Sequence, residues 1–131
     1  MKRVNKRFVR LVAVLLVLIA ALTACSPSNQ TTAGQSVTIN LVARNIAFDL
    51  KTLTVPAGAS VTLNFDNRDS GIGHNFALYR DSSAQQSIFV GQIIKGPATI
   101  AYEFTAPDQP GSYFFRCDPH SSQMNGTFVV Q

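Results

Sequence analysis

The chain has 131 residues, the size of one domain. Its formal charge of +4 comes from 11 Lys and Arg against 7 Asp and Glu, yet five of the basic residues (Lys2, Arg3, Lys6, Arg7, Arg10) lie in the first ten positions. The remainder carries six basic and seven acidic residues, which excludes a basic domain built to hold nucleic acid.

In chain order, the basic residues 1–10 lead into the apolar run Leu11–Leu22. A helix needs about 20 apolar residues to span a bilayer, so this run is too short for a span and suits the apolar region of a secretory signal. Leu22-Thr23-Ala24-Cys25 follows. An ordinary cleavage site wants small residues before the cut, and Leu22 serves that poorly. A plain secreted protein with an incidental cysteine is therefore the weaker reading. The four residues resemble the lipobox of bacterial lipoproteins, which implies cleavage before Cys25 and acyl chains, palmitate among them, on Cys25. Residues 26–36 are small and polar and read as a flexible tether. The expected organisation is a lipoprotein signal peptide over 1–24, a lipidated Cys25 and tether over 25–36, and one domain over 37–131. The domain would sit on a bacterial membrane through Cys25, facing the periplasm or the cell exterior.

From Val37 onward, apolar residues recur with period two, which predicts strands. Val37, Ile39, Leu41 and Ala43 form the first such face, and Leu53 and Val55 a second. Pro56-Ala57-Gly58 predicts a turn. Val61, Leu63 and Phe65 alternate next, and His74, Phe76 and Leu78 share one face of the following run. Asp81–Ser87 reads as a polar loop with room for one helical turn, and Ile88–Ile94 is apolar without a clear period. Ile100, Tyr102 and Phe104, then Tyr113, Phe115 and Cys117, and last Phe128 and Val130, complete the pattern. About seven or eight short strands between turn residues predict an all-β, antiparallel sandwich or barrel.

The chemistry concentrates in four residues. Beyond Cys25 the chain has one cysteine (Cys117), one methionine (Met124) and two histidines (His74 and His120). Three of the four fall in Cys117-Asp118-Pro119-His120-Ser121-Ser122-Gln123-Met124. A soft thiolate, two imidazoles and a thioether are the ligand set of a type 1 copper site. Each residue also has an ordinary reading. A lone inward Cys is commonly a small core hydrophobe, and a lone His or Met in a β domain is commonly packing. Taken together, the ordinary readings must explain why these residue types occur at one end of the predicted domain and nowhere else in it. Zinc is the better competitor, but structural zinc takes four Cys or His ligands. A disulfide is not expected, since Cys25 is taken by lipid and Cys117 by metal. The N-x-T matches at Asn29 and Asn125 carry little weight in a bacterial chain.

Val55-Pro56-Ala57-Gly58, Gly73-His74-Asn75-Phe76 and Gly111-Ser112-Tyr113-Phe114-Phe115-Arg116-Cys117-Asp118-Pro119-His120 resemble the cupredoxins, the blue copper fold of plastocyanin, azurin and amicyanin. The resemblance covers essentially all of 37–131. It implies a Greek-key β-sandwich with one copper ion near one end, cycling between Cu(II) and Cu(I) as a one-electron carrier. It also implies equatorial ligands His74, Cys117 and His120, an axial Met124, and a backbone N–H of Asn75 donated to the Cys117 sulfur. Pro119 lacks an N–H and can offer no second bond of that kind. Two departures stand out. Met124 follows Cys117 by seven positions, between the plastocyanin and amicyanin spacings, and Ser121-Ser122-Gln123 is polar where many relatives are apolar.

The expected function is that of a membrane-tethered electron carrier, monomeric, serving redox partner proteins and no nucleic acid. It is not expected to be an enzyme. A copper enzyme needs further His-rich centres, and both histidines are already used. The alternative is an extracytoplasmic copper-binding or carrier protein without an electron-transfer role, a class that favours clusters of exposed Met and His.

Overall fold

The computed structural model describes residues 34–131. The expected signal peptide (1–24), Cys25 and the tether up to residue 33 lie outside the described residues. Those described belong to one compact unit, Thr32–Gln131.

Ten strands are present among them: β1 (Ser36–Ala43), β2 (Thr52–Val55), β3 (Ser60–Asn67), β4 (Gly73–His74), β5 (Ala77–Tyr79), β6 (Ser87–Val90), β7 (Ile94–Lys95), β8 (Ala98–Thr105), β9 (Gly111–Arg116) and β10 (Asn125–Val130). The period-two runs become strands because alternate side chains meet the core and the rest meet water. In β3, Val61, Leu63 and Phe65 are buried while Ser60 and Asn64 are exposed. β1 starts at Ser36, one residue before the predicted edge. The Pro56-Ala57-Gly58 turn forms as expected, with Gly58 at φ 66°, a left-handed conformation that a side chain resists.

Two sheets face each other. One has the order β1-β3-β8 and the other β2-β10-β9-β5-β6. The strands are neighbours out of chain order, as a Greek-key sandwich requires. The pairing is mixed rather than antiparallel throughout. β1 runs parallel to β3 (Ser36↔Ser60), and β2 runs parallel to β10 (Leu53↔Phe128). Alternation within a strand is the same for either direction, so the sequence pattern carries no sign of it. A small third sheet pairs β4 with β7 (His74↔Ile94). The run predicted as one strand over 74–78 is thus two, β4 and β5. Every residue from His74 to Tyr79 is buried, because this segment is covered on both faces. Residues 81–87 form the expected polar loop up to Ser87, with one turn closed by the Ala84 N–H on the Asp81 carbonyl and no helix, and the ambiguous Ile88–Ile94 stretch resolves into parts of β6 and β7.

The core is aromatic. Phe65, Phe76, Phe115 and Phe128 are fully buried. Phe115 lies at the centre, with ring centroids 5.5 Å from both Phe48 and Phe76. This packing holds β9 against the segments that carry Phe48 and Phe76 and steadies the strand that leads into Cys117. Phe115→Ala removes a whole buried ring, so it should lower unfolding stability by about 3–5 kcal/mol. Denaturant unfolding of the copper-free protein checks this, and a loss under about 1 kcal/mol would place Phe115 outside the packed core.

Candidate metal centre

β9 and β10 pair antiparallel, with Arg116 opposite Asn125. The chain between them, 117–124, closes on itself. The Cys117 N–H donates to the Met124 carbonyl at 2.8 Å, and the Met124 N–H donates to the His120 carbonyl at 2.9 Å. Asp118–His120 makes a single 3-10 turn with Pro119 in its first positions, where a missing N–H costs nothing. Three of the four predicted ligands are therefore held in one short loop, anchored on both sides by sheet pairing.

The fourth, His74, arrives from β4. Its Nδ1 lies 3.5 Å from the Cys117 sulfur, and His120 Nδ1 lies 3.7 Å from the same sulfur. The three ligand atoms all fall within 4.8 Å of one another. His74 and Cys117 have no exposure, whereas His120 is half-buried. Met124 is fully buried in the same loop. Burial pushes the Cys117 thiol up from its ordinary value, and the backbone N–H groups of Asn75 and His120 oppose that rise. The His120 N–H donates to the Cys117 carbonyl at 3.1 Å and closes the turn. Pro119 is exposed and serves only the turn.

The side chain of Asn75 ties the two halves together. Its Nδ2 donates to the Gly91 carbonyl (3.1 Å) and to Asp118 Oδ2 (3.3 Å), while its Oδ1 accepts the Asp118 N–H at 2.8 Å. Asp118 also accepts from the Tyr79 hydroxyl (2.7 Å) and from Arg116 Nε (2.8 Å), and the Arg116 guanidinium lies 4.7 Å from the Tyr79 ring centroid. Burial raises the Asp118 carboxyl, but Tyr79, Arg116 and Asn75 outweigh it and hold it below the usual carboxylate value.

His74 is held from behind. Its Nε2 lies 2.9 Å from Asp69 Oδ2. With the Nε2 proton donated there, Nδ1 presents a lone pair to Cys117. Burial pushes the Asp69 carboxyl up, yet the N–H groups of Ile46 and Asn45 and the His74 ring bring it below its ordinary value. Sequence reasoning did not single out Asp69, Asp118, Tyr79 or Arg116. Asp118 is flagged only by its place beside Cys117, and Asp69 only by lying five positions before His74 in a turn-rich segment.

A buried sulfur and two imidazole nitrogens, each able to offer an electron pair, face one another here. Electron pairs gathered at one point this way call for a cation, and a soft one, given the sulfur.

The sequence model of the Cupredoxin-like domain matches residues 14–130, and the chain belongs to that family. Auracyanin A, a blue copper protein of the green thermophilic photosynthetic bacterium Chloroflexus aurantiacus, is 28% identical. The alignment covers 73% of this chain and 99% of that one, with a TM-score of 0.66. Dithionite-reduced auracyanin from the photosynthetic bacterium Roseiflexus castenholzii is 26% identical over 75% and 99%, also at 0.66. A reduced Cu(I) form of an amicyanin mutant is 26% identical over 72% and 82%, at 0.53. No curated protein matches the chain.

Proposed function

We propose that this cupredoxin is a type 1 copper protein that holds one copper ion among His74, Cys117, His120 and Met124. It carries one electron at a time between redox partner proteins, from a lipid anchor on Cys25 outside the cytoplasm. The observation that carries the copper reading is the meeting of two imidazole Nδ1 atoms on the Cys117 sulfur, at 3.5 and 3.7 Å. Metal bonds of about 2.0 Å to imidazole and 2.3 Å to thiolate, at near-trigonal angles, set nitrogen and sulfur about 3.5–3.7 Å apart. The donors already have that spacing, so they fit an ion. The similarity to auracyanin A, itself a blue copper protein, supports copper over zinc. The anchor reading rests on Leu22-Thr23-Ala24-Cys25 and the polar segment after it. Bound copper supplies a reversible Cu(II)/Cu(I) couple.

The protein's own part is to keep the cage still. Cys117 is locked at the end of β9, and His74 is locked by β7, Asp69 and the buried segment that follows it. A cage that suits both oxidation states leaves little to rearrange when an electron moves. The thiol must lose its proton to bind, and burial opposes a free thiolate, so copper uptake and proton release go together. Of the three grouped donors only His120 reaches the surface, beside the exposed Pro119 and Ser121–Gln123. Electrons enter and leave through that ring, and a partner docks over a polar rim there.

Cys117→Ser should abolish the intense visible charge-transfer absorption of the oxidised, copper-loaded protein, because a hydroxyl is a harder and weaker ligand. A variant that stays intensely coloured would sink the assignment.

Met124→Leu should leave copper bound and coloured but raise the reduction potential. The thioether donates weakly and favours Cu(II), whereas leucine donates nothing and dries the site. Protein-film voltammetry decides this, and an unchanged potential would make Met124 ordinary packing.

Mass spectrometry of the mature N-terminus should find acylated Cys25 as its first residue, and Cys25→Ser should lack that mass while keeping the colour. An unmodified Cys25 in the wild type refutes the anchor.

A further inference from the structure

Asp69 lies between β3 and β4, only 8% exposed, and two backbone N–H groups and one imidazole nitrogen converge on its carboxylate. Asn45 N–H donates to Oδ1 at 2.6 Å, Ile46 N–H to Oδ2 at 2.9 Å, and His74 Nε2 lies 2.9 Å from Oδ2. Asn45 and Ile46 have φ of 55° and 54°, consecutive left-handed residues neither of which is glycine. Such a conformation is rare for a branched side chain like isoleucine. It turns two successive N–H groups the same way, into a small anion-binding concavity. Asp69 is itself pinned, since its N–H donates to Asn67 Oδ1 at 3.0 Å and its carbonyl accepts the Ile72 N–H at 3.2 Å. Buried Asn67 in turn donates to the Ile72 and Ile94 carbonyls at 2.8 Å each, which ties this loop to β7.

A turn cap alone would need only the two backbone donors. The third contact changes the role. We propose that Asp69 is a positioning residue for the copper centre, a carboxylate bridge between the 45–46 turn and His74 that holds the His74 proton on Nε2 and lowers the reduction potential. It rests on the copper reading above. Two backbone donors already face the carboxylate, and an ionised carboxylate can only accept, so the contact at 2.9 Å requires the His74 proton on Nε2. Asparagine would turn its NH2 toward one of the three. With the proton held on Nε2, Nδ1 faces Cys117 as a lone pair before any ion arrives. A fixed negative charge behind the ring favours the more positive oxidation state, so it makes reduction harder. Carboxylate partners of metal-bound histidines act in this way, and losing them lowers metal affinity about 10–100-fold.

The test starts with the wild type. Long-range proton–nitrogen spectra of the ¹⁵N-labelled protein, metal-free and Cu(I)-loaded, should place the His74 proton on Nε2 in both, exchanging at least tenfold more slowly than the ring proton of His120. A His74 proton on Nδ1 in the metal-free protein overturns the proposal, whatever the variants do. Asp69→Asn should keep the colour, speed that exchange at least tenfold, weaken Cu(II) binding more than Cu(I) binding, and raise the potential accordingly. The same substitution is made in an Asn45→Gly/Ile46→Gly background, where glycines adopt the left-handed turn without strain and the fold no longer depends on the cap. Faster exchange and a raised potential there support the bridge. Wild-type values there mean that Asp69 acts only on the turn. A wild type that takes up copper without colour would refute the type 1 reading, while the metal-free His74 spectrum would still report on Asp69.

Discussion

The rest of the structure depends on one crowded point, where two imidazole nitrogens and a sulfur meet at one end of the protein core. A cation suits that arrangement, since it can accept electron pairs from all three atoms where a single S–H can donate to only one ring. Each donor is held by the frame around it. Cys117 is fixed by the Met124 carbonyl and by the end of β9, and His74 by its pairing with Ile94 and by Asp69. The two sides are then stitched by Asn75, which bonds to Asp118 in both directions. The sandwich, with Phe115 at its aromatic centre, is the frame that brings these two ends to the same place.

Rigidity links this frame to the proposed electron transfer. Among the described residues, no buried side-chain nitrogen or oxygen lacks a hydrogen-bond partner. A satisfied network of this kind offers no neighbouring arrangement of comparable energy, so the donors stay where they are as the charge between them changes. The exposed parts of the 117–124 loop (Pro119 and Ser121–Gln123) are those without a donor role, apart from the turn they form.

Much of this was legible in the sequence, and the reason is periodicity. Val61, Leu63 and Phe65, or Tyr113, Phe115 and Cys117, show their inward face by spacing alone, so strands and candidate donors could be read together. What was not legible depends on partners distant in the chain. The parallel pairing of β1 with β3 leaves no mark on alternation. The division of 74–79 into two strands is hidden because burial on both faces erases the period. Asp69 carries no motif, and its role follows only from the meeting of Asn45, Ile46 and His74. The Tyr79–Asp118–Arg116 cluster escaped for the same reason, since Tyr79 joins it from another strand.

The two carboxylates near the centre differ in what their charge can reach. Asp118 is closer in sequence to Cys117, and its charge contributes to the raised thiol, but Arg116 lies 2.8 Å away and offsets much of its field. Asp69 has no such cation. Among the described residues, its one ion-pair partner is His74 itself. Arg68, next to it in the chain, is directed to Asp66 at 2.6 Å. A charge neutralised locally serves mainly to tie elements together, whereas an unneutralised, buried one acts on whatever it faces, with little screening by solvent or salt. Asp118 is thus a structural tie between strands, and the electrostatic setting of the centre falls to Asp69, acting along the His74 ring.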